Sequence, residues 1–223
     1  SAKKEKSKHS ALSFRHFVLG TVAIFIYVGV EVGIPNFANL FMTSPEINID
    51  PTIAGSVVGT YWFLMMIGRL CGASIGAKVS SRAMLTVVST VGIVLVLGAI
   101  FCADNILVNM PVFKSDISFG FAQVPVNVML LILCGLCTSI MWGGIFNLAV
   151  EGLGKYTAAA SGLFMVMVCG GGILPLIQGG VADFAGFLNS YWVIALGLAY
   201  ILFYAAIGSK NVNTDIPTDD YEA

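Results

Sequence analysis

The chain has 223 residues, 57% of them hydrophobic and only 10% charged, whereas soluble chains carry about 25% charged residues. Its mean hydropathy is +0.91 and its formal net charge is −1. Too little charge remains to clothe a soluble globule, which excludes a soluble enzyme, a coiled coil and a disordered chain. The absence of a basic excess removes nucleic acid as a partner.

Six apolar runs follow in chain order: Phe17–Phe41, Ile53–Ala77, Ala83–Ala103, Val126–Val150, Ala158–Ala182 and Gly186–Gly208. Roughly 20 helical residues cross a ~30 Å hydrocarbon core, and every run is long enough. Of the 11 basic and 12 acidic residues, only Glu31 and Arg69 fall inside the runs. Lipid admits helices or closed barrels, and none of the runs alternates strictly. The sequence therefore predicts an all-α membrane protein with six transmembrane helices in a bundle over residues 14–208. Residues 1–13 and 209–223 read as a basic and an acidic tail without a fold. The first run is too long for a signal peptide and lacks a small-residue cleavage site.

Basic residues in the connections set the orientation. Lys3, Lys4, Lys6, Lys8, Arg15, Lys78, Arg82, Lys155 and Lys210 fall on one side, and Lys114 alone falls on the other. Both termini are expected in the cytoplasm. The long connection 104–125 is expected at the outer membrane surface.

Five cysteines, Cys71, Cys102, Cys134, Cys137 and Cys169, lie in or beside the runs as small packing residues. Cys134 and Cys137 form a C-x-x-C, but no charge stands near them to lower a thiol pKa. His9 and His16 have no acidic or cysteine partner at ligand spacing. No catalytic residue, metal site or cofactor is expected, and the chain does not read as an enzyme. Gly68, Gly72 and Gly76 recur every four residues, as do Gly55 and Gly59, which suits close helix packing. In the fifth run Gly170-Gly171-Gly172, Pro175 and Gly179-Gly180 interrupt the helix, as in transporters whose broken helices line a cavity.

A charge at the bilayer centre costs at least ~2.5–3.5 kcal/mol on insertion scales, so Glu31 and Arg69 must face the bundle or a watery cavity. Their depths differ by about nine Å, so direct pairing is possible but strained. Tyr27, Glu31, Pro35 and Asn39 repeat at four-residue steps with Asn36 adjacent, forming one polar stripe. Ser139, Gly143, Asn147 and Glu151 form a second, flanked by Thr138 and Trp142. Polar groups beside an aromatic plate suit a sugar. Trp62 with Tyr61 and Thr60, and Gln178, could add to the same surface. Trp62 and Trp142 lie too deep to be interfacial anchors.

The segment Phe25-Ile26-Tyr27-Val28-Gly29-Val30-Glu31-Val32 resembles the seventh-helix signature of the L-fucose permease and glucose/galactose transporter group of the major facilitator superfamily. Tyr61-Trp62 with Gly68-Arg69 and Gly72 is similar to its eighth helix. Ser139-Ile140-Met141, Ile145-Phe146 and Glu151-Gly152-Leu153-Gly154-Lys155 are similar to its tenth helix and following loop. Gly170-Gly171-Gly172-Ile173-Leu174-Pro175 with Gln178-Gly179 and Ala182-Asp183 is similar to its eleventh. The chain departs from the group at Trp142-Gly143-Gly144, where Phe-Pro-Thr is common. The resemblance covers the carboxyl-terminal six helices of a twelve-helix protein.

It implies half of a hexose or deoxyhexose symporter, coupled to a proton or sodium ion, working by alternating access in the bacterial inner membrane. Helices 1–3 and 4–6 should then be inverted repeats. Gly68, Gly72 and Gly76 match Gly171, Pro175 and Gly179 at a constant spacing. Because the resembled permease carries its proton-coupling carboxylates in the other half, Glu31 does not inherit that role. Glu31, Asn36, Asn39, Trp62, Thr138, Trp142, Asn147 and Gln178 are the candidate sugar-binding residues. Arg69, Lys78, Arg82 and Glu151 are candidate gating or structural charges; the acidic residue usual in the basic cytoplasmic loop is absent from 77–82. The expected partners are the bilayer, a sugar, and either an amino-terminal half or a second copy of this chain. The alternatives are a homodimeric half-transporter and a non-transporting scaffold or receptor.

Overall fold

The computed structural model describes residues 9–219; Lys3, Lys4, Lys6 and Lys8 of the expected basic tail lie outside them. Helix α1 (Arg15–Met42) is followed by α2 (Pro51–Ile75) and α3 (Ser81–Phe101). A hairpin of β1 (Leu107–Phe113) and β2 (Phe119–Pro125) leads to α4 (Val126–Thr138) and α5 (Met141–Ala149). Helices α6 (Thr157–Met167), α7 (Ile173–Ala185) and α8 (Phe187–Phe203) complete the bundle. Among the described residues five spans are long and apolar enough to cross a membrane: α1, α2, α3, α4 with α5, and α8 with the turn of wide helix that extends it to Gly208. The chain is a multi-pass helical membrane protein.

Local chemistry sets the starts. Asp50 accepts the Thr52 N–H at 2.9 Å and Pro51 takes the first position of α2, where its missing donor costs nothing. The Ser80 hydroxyl oxygen caps α3 by accepting the Ala83 N–H at 3.2 Å. Between α7 and α8 the chain reverses at Gly186 with φ +94°, a conformation that favours glycine.

Of three irregular segments, the fifth run breaks where its glycines and proline are expected to interrupt it, while the connection 104–125 and the carboxyl-terminal tail differ from the sequence reading. The fifth run is divided: α6 ends at Met167, a tight 3-10 stretch spans Val168–Gly172, and α7 begins at Ile173. Three consecutive glycines followed by Pro175 account for the division. The connection 104–125 is a β-hairpin with Leu107 opposite Pro125 and Phe113 opposite Phe119. At its turn the Ser118 hydroxyl donates to Asp116 and holds that carboxyl below its usual range. Third, the tail expected without a fold is docked up to Thr218. The Arg15 N–H donates to the Asn213 side chain at 2.9 Å, the Lys155 N–H donates to the Thr218 carbonyl at 2.9 Å, and Ile216 is buried.

Because lipid offers no hydrophobic drive between helices, close contact and hydrogen bonds must hold this bundle. Helix α2 approaches α4 and α5 through Gly68, against the Ser139 side chain, and Gly72, against the Ile140 side chain. A Cβ at Gly135 would stand 2.5 Å from the Tyr61 carbonyl. Four buried tyrosines tie helices together through carbonyls: Tyr27 to Thr138, Tyr61 to Glu31, Tyr191 to Ile34 and Tyr204 to His16. Cys134 and Cys137 are buried among apolar neighbours, in keeping with packing.

Candidate functional site

Pro35 has no N–H, so the carbonyl one turn back, that of Glu31, loses its helical donor. The Tyr61 hydroxyl supplies one at 3.0 Å and stands 3.0 Å from the Thr138 hydroxyl. Three elements thereby meet beside Glu31: α1, α2 and the end of α4. From α2, Arg69 reaches across with Nη2 3.8 Å from Glu31 Oε1. The long arginine side chain lets the two residues meet despite their different positions along the helices. Its Nε donates to the Ser139 carbonyl at 3.2 Å. The Glu31 side chain is 19% exposed and that of Arg69 57%, so the pair sits on an open face rather than sealed inside.

Two cavities share Arg69. One, about 230 Å³, is lined by Glu31, Trp62, Met65, Met66, Arg69 and Leu70. The other, about 490 Å³, runs along α2 and α5 to the start of α3, with Arg69, Ser139, Trp142 and Asn147 on its wall and Ser81 at its far end. Trp142 is braced by Phe146, stacked at 5.4 Å, and by Phe164, edge-on at 5.7 Å. Charge and one indole border the smaller cavity, charge, amide and the other indole the larger, and Arg69 stands on both walls, an arrangement able to hydrogen-bond hydroxyls and stack against a ring.

Glu31, Trp62, Arg69, Trp142 and Asn147 are thus brought together. Thr138 is buried behind them in the tyrosine network. Gln178 is buried between α1 and α8, with Nε2 3.4 Å from the Ser190 hydroxyl and Oε1 without a partner. Asn36 is exposed and Asn39 half-buried nearer the opposite end of α1, and neither borders the two cavities. The remaining charges cluster at the end where Arg15 begins α1. Arg82 Nη2 lies 3.7 Å from Glu151 Oε2, and its Nε donates to the Ser209 hydroxyl at 3.2 Å. A His16 ring nitrogen lies 2.7 Å from the Glu151 carbonyl, and Lys78 is exposed. The sequence reading did not give Tyr61 and Ser139 their central place. The signal was Pro35, whose orphaned carbonyl demands a donor.

The structure overlays the Escherichia coli fucose:proton symporter with a TM-score of 0.77 at 23% identity, covering 95% of this chain and 48% of that one. No protein-family model matches the chain. It is 32% identical over 211 residues to the glucose/galactose transporter of Brucella abortus, covering 94% of this chain and 46% of the relative. It is 33% identical over 212 residues to a putative glucose/galactose transporter of Helicobacter pylori. It is 23% identical over 197 residues to the L-fucose-proton symporter of Escherichia coli. The chain spans about half the length of these relatives and resembles the carboxyl-terminal half of such sugar transporters.

Proposed function

We propose that the chain forms the carboxyl-terminal half of a cation-coupled hexose or deoxyhexose symporter that works by alternating access. On this reading the fifth run is a sixth, broken span, and the two sets of three spans are inverted repeats. Both termini face the cytoplasm of a bacterial cell, and an amino-terminal half completes the central cavity in the inner membrane. The observation that carries the reading is the Glu31–Arg69 pair, set on an open face between Trp62 and the cavity bordered by Trp142 and Asn147. An ionisable pair at that depth is costly, so it faces the bundle or a watery cavity, and such pairs by default mark a path for substrate or ion. Glu31 accepts hydrogen bonds from sugar hydroxyls, Arg69 and Asn147 donate, and the indoles take the apolar face of the ring. Asn36, Asn39, Thr138 and Gln178 belong to the same substrate path, the last two reached only when helices move. Arg82 and Glu151, with Lys78 nearby, hold the cytoplasmic helix ends while that side is closed.

The test is sugar uptake by the complete two-half transporter in proteoliposomes, parent against Glu31→Gln. Uptake falls at least about tenfold in the variant, as expected for a lost charged contact, while the amount of folded protein is unchanged. Uptake within about twofold of the parent contradicts the assignment.

A further inference from the structure

The span formed by α4 and α5 is broken at Ser139 and Ile140, where regular helix stops and resumes. A break at membrane depth leaves carbonyls without their usual donors, and lipid offers no substitute. The Ser139 hydroxyl meets the Leu136 carbonyl from within the span at 2.6 Å, and two more are met from other helices. The Thr138 carbonyl accepts the Tyr27 hydroxyl at 3.0 Å from α1, and the Ser139 carbonyl accepts Arg69 Nε at 3.2 Å from α2. The Ser139 and Ile140 side chains sit against Gly68 and Gly72, so Arg69 is held at the break by the glycines on either side of it. The same guanidinium turns its Nη2 toward Glu31 at 3.8 Å.

We propose that Arg69 is a positioning residue that couples the occupant of Glu31 to the break between α4 and α5, and through it to Trp142 and Asn147. The guanidinium is planar, with its donors in a fixed fork, so its two engagements cannot be adjusted independently. A sugar hydroxyl or a cation that takes Glu31 rotates the fork away from the carboxylate. That rotation draws Nε–H off the Ser139 carbonyl, the break loses a cap, and α5 reorients. Because Trp142 and Asn147 ride on α5, about half a turn and about two turns beyond the break, the wall of the larger cavity moves when Glu31 is engaged. This inference rests on the proposed reading of Glu31 as the group that meets substrate or cation.

The test uses the chain in lipid nanodiscs with Trp62→Phe and Trp192→Phe, which leaves Trp142 as its sole tryptophan. Glu31→Gln mimics an occupied, neutral carboxyl and shifts Trp142 emission relative to the parent. Arg69→Lys keeps the charge but offers no fork, and it shifts emission in the same direction. The double variant shifts no further than either single variant, because both act through one link. Parental emission in Arg69→Lys, or shifts that simply add, overturns the proposal. Should Arg69→Lys fail to fold by thermal melt, Glu31→Gln decides alone: unchanged emission overturns the coupling. Uptake reads the transport proposal separately, so uptake retained in Glu31→Gln strikes at that reading and leaves the emission result standing.

Discussion

Pro35 and Tyr61 show how one residue's deficit recruits another. The proline orphans the Glu31 carbonyl, and the buried Tyr61 hydroxyl satisfies it at 3.0 Å. Tyr61→Phe is therefore expected to cost about 1–2 kcal/mol, the scale of an interhelical hydrogen bond in a membrane plus an unmet acceptor. In a Pro35→Ala background α1 regains its own donor, and the same substitution should cost less than half as much. Denaturation of the four proteins in micelles measures the cycle; equal costs in both backgrounds contradict the account. Glu31, Arg69 and Trp62 were legible because charge and deep indole stand out in apolar runs. Tyr27 and Tyr61 were less so, since a tyrosine in a span announces neither its depth nor which carbonyl it will find.

Elements were legible where the physics is one-dimensional. Run length and charge sparsity placed α1, α2 and α3 within two residues at each end, because a bilayer imposes length directly. The Gly170-Gly171-Gly172 interruption also announced itself. The break at Ser139 did not, since neither glycine nor proline marks it; it is held open by Tyr27 and Arg69 from other helices. The hairpin was missed although Val108, Met110 and Val112, then Ala122 and Val124, alternate with exposed residues around a polar turn. Its open edges and its Lys114 and Asp116 turn are unsuited to hydrocarbon, so the surface of α2 on which it docks must face water or protein. There the Phe113 N–H donates to the Thr60 hydroxyl at 2.9 Å and the Phe113 ring stacks on Phe63 at 4.5 Å. Thr60→Val should loosen this dock by about 1 kcal/mol, the scale of one hydrogen bond. Hydrogen exchange at Phe113 should then rise severalfold while exchange in α8 stays as it was. Unaltered exchange at Phe113 would show that the dock does not depend on Thr60.

Across the whole molecule, charge is sorted by end. Arg15, Arg82, Glu151 and the segment from Ser209 to Thr218 are knit together at one end, while Lys114 lies on the hairpin at the other. The sorting was readable from the sequence, but the docking of the tail was not. Composition marks 209–219 as polar, yet Gly152 and Gly154, both at positive φ, leave room for Asn211 and Thr218 to settle against the turn after α5. The exposed apolar surface is extensive on α2, with Trp62, Met66 and Leu70, and on α6 and α7, with Met165, Val166, Leu176 and Ile177. The proposed second half covers part of it, and lipid covers the remainder.

The central claim is that this surface and the Glu31 face belong to a two-half transporter. The most direct measurement is the native mass of the assembly containing this sequence, released from its own membrane. The account predicts a mass of about twice the chain's 23.6 kDa, matching relatives about twice its length, with the additional mass having a different sequence. An assembly made only of one or more copies of this chain would contradict it.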